Sequence, residues 1–250
     1  MGLLDFLKRS KTHGDDDSTA TNKNVARLGR VAAHKRAQNY DRMEAIQNLS
    51  SVGTADSAAA LLKRFTFYIE PSITDQEEKD VAFRGILAAG AAAVEPIREF
   101  CVRAESLTWP MKLLEQLLDK DAYVDELLVL LGRFDTDYTK NVEPKVQLIA
   151  ALEDKQRDDV RQAVEPFLQD ANEPARFHAV ATVFSQEQAA SAEALCQALV
   201  EEESVRIKNR ICDGLSSRGW AIPDGLQDEV RKVLPAGFHL DGGKLRGGGQ

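Results

Sequence analysis

Aromatic side chains are scarce in this 250-residue chain: Phe, Trp and Tyr together make up 6%, and only two tryptophans occur. That counts against an aromatic platform on which nucleobases could stack. Cysteine is scarcer still. Cys101, Cys196 and Cys212 are an odd number with no CxxC pair, so no disulfide framework is indicated; each falls in an apolar helical context that suits a small buried hydrophobe. No apolar run approaches the ~20 residues needed to span a bilayer. Nor does the first stretch show a secretory apolar core of about 7–15 residues with a small-residue cleavage site. Met1-Gly2 is followed at position 6 by Phe6 rather than Ser or Thr, which argues against N-myristoylation. A cytoplasmic protein is expected.

Catalytic signatures are missing as well. No Walker loop, GxGxxG or GxSxG occurs. His13, His34, His178 and His239 lack ligand-spaced Cys, His or carboxylate neighbours, so no metal and no cofactor are expected. His178, beside apolar Ala179, reads as a partly buried helix residue rather than a base. The expectation is a protein that is not an enzyme.

Positive charge is in deficit, with 32 Lys+Arg against 40 Asp+Glu and a formal net charge of −8. A general nucleic-acid binder needs a cationic surplus to meet phosphate. The total hides a split. Residues 1–42 carry nine basic and five acidic side chains, a surplus of four; the remainder carries 23 against 35, a deficit of twelve.

What the sequence does have is repetition. The template basic-x-x-apolar-apolar-x-x-apolar fits Arg42 with Ala45, Ile46 and Leu49, and Lys79 with Ala82, Phe83 and Ile86. It fits again at Lys145, Arg176 and Lys208, the last with Ile211, Cys212 and Leu215. Lys112 fits poorly because Glu115 takes an apolar slot; its apolar residues are Leu113, Leu114, Leu117 and Leu118. Apolar spacing of i, i+1, i+4 places one stripe on a helix. A second apolar helix follows each first one, from Leu61-Leu62-Phe65 through to Val230-Val233-Leu234. Gly53, Gly90 and Gly219 supply breaks, and Pro110, Pro144 and Pro174 sit near helix starts, where an amide has no intrahelical acceptor. The phrase Ala-Val-Glu-Pro occurs at 93–96 and again at 163–166, about two repeats apart.

Over residues 40–235 the sequence resembles the HEAT-repeat family. The likeness rests on Tyr40-Asp41-Arg42-Met43-Glu44-Ala45-Ile46-Gln47-Asn48-Leu49 followed by Gly53 and Ala58-Ala59-Ala60-Leu61-Leu62, and on Asp170-Ala171-Asn172-Glu173-Pro174-Ala175-Arg176 and Ser204-Val205-Arg206. The resemblance implies an all-α fold: a right-handed α-solenoid of about six HEAT-like helix pairs, in which neighbours bury a stripe that one pair cannot bury alone. It is more distantly similar to HEAT-like phycobiliprotein lyases. That likeness implies an alternative role in attaching or holding a tetrapyrrole. Some HEAT-like proteins are DNA glycosylases that use Trp and Asp in a basic groove. Trp109 and Trp220 are present here, but the acids on the second helices would repel phosphate.

The two ends add detail. Residues 1–11 predict a short amphipathic helix, with Leu3, Leu4, Phe6 and Leu7 on one side and Lys8 and Arg9 beyond it. It reads as a segment docked on its own repeats, as a frayed tail, or as a reversible anchor at the inner membrane surface. Polar residues 12–22 predict a linker. A helix over about 23–38 would cap a repeat body at 23–236, with Lys23, Arg27, Arg30 and His34 as a candidate stripe for an anionic partner. At 237–250, strands around Asp241-Gly242-Gly243 predict a hairpin with a disordered tail. Asp125, Glu126, Asp158, Asp159, Glu193, Asp228 and Glu229 fall on second helices, which in this family usually line the concave face. They form the candidate acidic face for a protein partner with a basic segment. The function expected is a non-enzymatic protein-interaction scaffold, its oligomeric state open.

Overall fold

The computed structural model describes residues 22–247. The predicted amphipathic segment at 1–11, with Leu3, Leu4, Phe6, Leu7, Lys8 and Arg9, lies outside the described residues, as do residues 12–21 of the predicted linker and 248–250. The described chain is mainly helical and ends in two strands.

α1 covers 22–32, α2 Asn39–Ser50, α3 Ala55–Leu62, α4 Ser72–Ala88, α5 Val94–Cys101, α6 Thr108–Leu117 and α7 Lys120–Leu131. α8 covers Glu143–Ala151, α9 Asp158–Val164, α10 Glu173–Ser185, α11 Ala192–Glu201, α12 Val205–Arg218 and α13 Gln227–Val233. Short 3₁₀ turns lead into or out of several of them. The chain divides into two compact units, one ending at Lys120 and one beginning at Asp121.

Within the first unit, α2 packs on α4 and α4 on α6, while α3 packs on α5. Within the second, α8 packs on α10 and α10 on α12, while α11 packs on α13. First helices therefore stack on first helices, and second on second. The apolar template accounts for this. Its slots at Ala45, Ile46, Leu49, Leu148, Ile149, Leu152, Ala179, Val180 and Val183 are all buried. Phe83 is the exception, half-buried and edge-on to Trp109 at 5.8 Å, with Phe65 stacked on the same indole at 4.9 Å. In α6 the stripe moves to Leu113 and Leu114, both fully buried, which leaves Glu115 in solvent.

Two glycines let first helices approach closely. A methyl group on Gly85 of α4 would sit 2.2 Å from Ser50 Oγ and 2.8 Å from its Cα; one on Gly214 of α12 would meet the Phe184 ring at 2.3 Å.

α1 is shorter than the 23–38 expected, and His34 lies beyond its end. The cause is on α2. Arg42 donates from Nη1 to the carbonyls of Ala37 at 2.8 Å and Lys35 at 3.5 Å, holding that stretch in turns. The hairpin forms as expected, with β1 Phe238–Asp241 paired antiparallel to β2 Lys244–Gly247 around Gly242 and Gly243, both at positive φ. It leans on α12: Leu245 is buried, Ser216 Oγ donates to the Gly247 carbonyl, and Ile222 N donates to Gly243 O.

Candidate functional site

The residues that open each template repeat are cations; the structure buries Arg42 and Lys145, half-buries Lys79, Arg176 and Lys208, and leaves Lys112 exposed. Arg42, fully buried, donates from Nε and Nη2 to Glu78 of α4 at 2.7 and 2.8 Å, a two-pronged pair. Arg64, also fully buried, donates to the same Glu78 at 2.6 Å and to Asp75 at 2.7 Å. Lys79 closes the group on Asp75 at 2.6 Å. Burial pushes the Asp75 carboxyl up, but Lys79, Arg64 and the Ile69 amide together outweigh it and hold the group below its ordinary pKa. Three cations thus share two carboxylates in the interior of the first unit.

The second unit uses separate pairs. Buried Lys145 of α8 donates to Asp170 at 2.6 Å and to the Asp137 carbonyl at 3.2 Å. Arg176 of α10 donates to both oxygens of Glu202, at 2.8 and 2.9 Å. Asp170 also accepts from the Asn172 amide, and Glu202 from the Ser204 amide. Each acid therefore binds the cation of the preceding repeat and braces the entry to the next first helix. Burial opposes ionisation of Glu202; Arg176 and the Ser204 amide outweigh it and lower its pKa.

The candidate acidic face is altered by this. Glu126 does not belong to it, being only 3% exposed on the buried side of α7 beside Leu127 and Leu130. Asp125 and Asp159 are both bound by Arg157, at 2.7 and 2.5 Å. The hydrogen bonds that Arg157 donates to Asp159 and Asp125 raise its pKa, and Arg157 lowers that of Asp159. Asp158 accepts from Arg161 at 2.9 Å, and Asp228 of α13 from Arg231 at 2.7 Å. Glu193 of α11 and Glu229 of α13 remain exposed without an ion pair among the described residues. Packing of α11 on α13 sets their two helices side by side.

The basic stripe is free of ion pairs within the described residues. Lys23, Arg27 and Arg30 are exposed on α1, on the opposite side from buried Val25, Leu28 and Ala32, with His34 exposed just after them. Arg27 donates to Asn24, and no carboxylate among the described residues lies within ion-pair distance of any of the four. Grooves flank α1 on both sides. One, of about 520 Å³, is bordered by Arg27, Arg30, His34, Asp41 and Glu44; the other, of about 740 Å³, by small residues such as Ala26, Gly29 and Ala60 with Asp56 and Lys63 at its edge.

Cys196 and Cys212 are free and buried, and burial pushes both thiols up to about 12. Burial lowers His178, which sits edge-on to Phe177 under the influence of Arg210 and Arg206. No group of three or more His, Cys, Asp or Glu positioned to hold a metal occurs among the described residues, and no helix there is long and apolar enough to cross a membrane. No family model, curated protein or solved structure matches the chain.

Proposed function

We propose that the protein is a non-enzymatic interaction scaffold, a HEAT-like solenoid that binds a protein partner through exposed helix faces. The supporting observation is the stacking of first helices on first and second on second within each unit, with the best-formed buried charge pairs joining successive repeats. Structural ion-pair networks of this kind perturb pKa values as active sites do, so the lowered Asp75 and Glu202 values need no catalytic role. The partner segment is basic and meets α11 and α13, where Glu193 and Glu229 carry charge that no arginine of the described chain neutralises.

The test is capture from lysate by the full chain and by an E193K/E229K variant, at about 50 and 500 mM salt, where screening differs severalfold in length. A partner held by wild type at low salt, and lost both from the variant and at high salt, supports the reading. Capture that ignores salt and variant alike removes its electrostatic basis.

A further inference from the structure

We infer that α1 is a docking face for an anionic lipid surface. Residues 22–38 contain Lys23, Arg27, Arg30, Lys35 and Arg36 and not one Asp or Glu, in a chain whose net charge is −8. All five cations are exposed. Lys23, Arg27 and Arg30 follow one another at helical spacing along α1, a row set by the burial of Val25, Leu28, Gly29 and Ala32 on the other side.

Five surface arginines differ from these: Arg157, Arg161, Arg206, Arg218 and Arg231 each meet a carboxylate of their own unit. The α1 cations have none among the described residues. Exposed Lys232, Lys244 and Arg246 near the C-terminus form no such pair there either, but they are not set in a helical row. Asp41 and Glu44 on α2 and Asp56 on α3 border the flanking grooves, so the patch keeps a positive balance rather than an unopposed one.

A lipid surface fits this face better than an acidic protein does. Protein interfaces centre on large apolar or aromatic anchors seated in pockets. Between its cations α1 exposes only Asn24 and Ala26. A helical row of cations on short-chain neighbours suits a plane of headgroups, where each Lys or Arg contributes roughly a fivefold gain in binding.

The scaffold reading does not depend on this face, since it rests on α11 and α13; either can fail alone. The full chain is mixed with vesicles of neutral phosphatidylcholine, and with vesicles in which about a third of the lipid is phosphatidylserine, and bound protein is measured by flotation. Binding to the anionic vesicles only, weakened at about 500 mM salt, is expected. K23E/R27E/R30E should lose at least a hundredfold in apparent affinity, whereas K232E/K244E/R246E, the same charge change on other exposed cations, should bind as wild type. Because all six positions are exposed, circular dichroism should show both variants folded. Equal loss in the two variants, or equal flotation on neutral vesicles, overturns the assignment. So does a K23E/R27E/R30E variant that floats normally but no longer binds poly-glutamate, which would make the face a site for acidic protein.

Discussion

The two units solve one problem in two ways. Each draws one opening cation fully into the interior, Arg42 in the first unit and Lys145 in the second, where a charge needs a partner. In the first unit Arg42 and Arg64 converge on a single carboxylate, Glu78, which lies within α4. In the second, Lys145 and Arg176 each have their own acid, Asp170 or Glu202, placed just ahead of the next first helix. The first arrangement gathers two guanidinium groups on Glu78, with Asp75 as a second acceptor for Arg64; the second distributes charge along the repeats at a spacing of 25 or 26 residues from cation to acid. A shared acceptor makes a tighter node and a more fragile one.

The largest expected effect tests that fragility. Glu78→Gln takes the carboxylate from fully buried Arg42 and leaves fully buried Arg64 with Asp75 alone, and breaking a buried pair costs about 3–5 kcal/mol. Asp170→Asn strands one ammonium that still donates to the Asp137 carbonyl, and should cost about 3 kcal/mol, the low end of that range. Urea denaturation midpoints of the two variants give the comparison. Equal losses would mean that Glu78 is no more critical than an ordinary paired acid. Replacing Arg42 by Met in the Glu78→Gln background should recover part of the loss, because the stranded charge is then gone.

The close helix approaches offer a second contrast. Gly85→Ala presses a methyl group against Ser50 down to its Cα, so backbone must move. Gly214→Ala presses on the Phe184 ring, a side chain that can turn. Overpacking of this kind costs roughly 1–3 kcal/mol, with Gly85→Ala at the upper end and Gly214→Ala at the lower. Thermal midpoints that reverse this order would locate the tighter stack in the second unit.

Acid should weaken both units. Asp75 and Glu202 have folded-state pKa values below their ordinary ones. Each therefore contributes stability that is fully present above the unfolded carboxylate value of about 4, and that is lost as pH falls through the lowered folded value. Stability measured from pH 6 to pH 3 should fall at the acid end. Asp75→Asn and Glu202→Gln should each be less stable at pH 6 and show a shallower fall. An unchanged slope in either variant would mean that its carboxyl is not held in its ionised form by the pairs described.

Much of the helical organisation was legible in the sequence, because burial of one face imposes a period and the period can be read. Ile46, Leu148 and Ile211 lie where their spacing places them, and the Gly242-Gly243 turn lies where its chemistry does. The fate of the charges was not legible. Arg42 and Lys145 mark the repeat phase in the sequence, yet an isolated cation gives no sign that it is buried. Only the acid 25 or 26 residues beyond Lys145 and Arg176 carries that information, and it cannot be read until the cation's burial is known. Glu126 fails for the converse reason: an acid on a helix reads as solvated unless the exact face is fixed, and Leu127 and Leu130 turn that side of α7 inward. The end of α1 depends on Arg42 reaching Ala37 O, a contact that no helix propensity encodes.

The smallest effect belongs to the surface. Arg157 joins Asp125 of α7 to Asp159 of α9 within the second unit and is 30% exposed itself, with partners 63% and 52% exposed. Water and salt compete for every group in that triad, so Arg157→Ala should change stability by less than about 1 kcal/mol, and the difference should shrink further at about 500 mM salt. The same substitution releases Asp125 and Asp159 as free carboxylates. If those acids belong to a partner-binding face, Arg157→Ala should strengthen capture of a basic segment at low salt while leaving the denaturation midpoint almost unmoved. A variant that loses several kcal/mol instead would place Arg157 among the structural pairs with Lys145 and Arg176, and the distinction between interior and surface charge in the second unit would not hold.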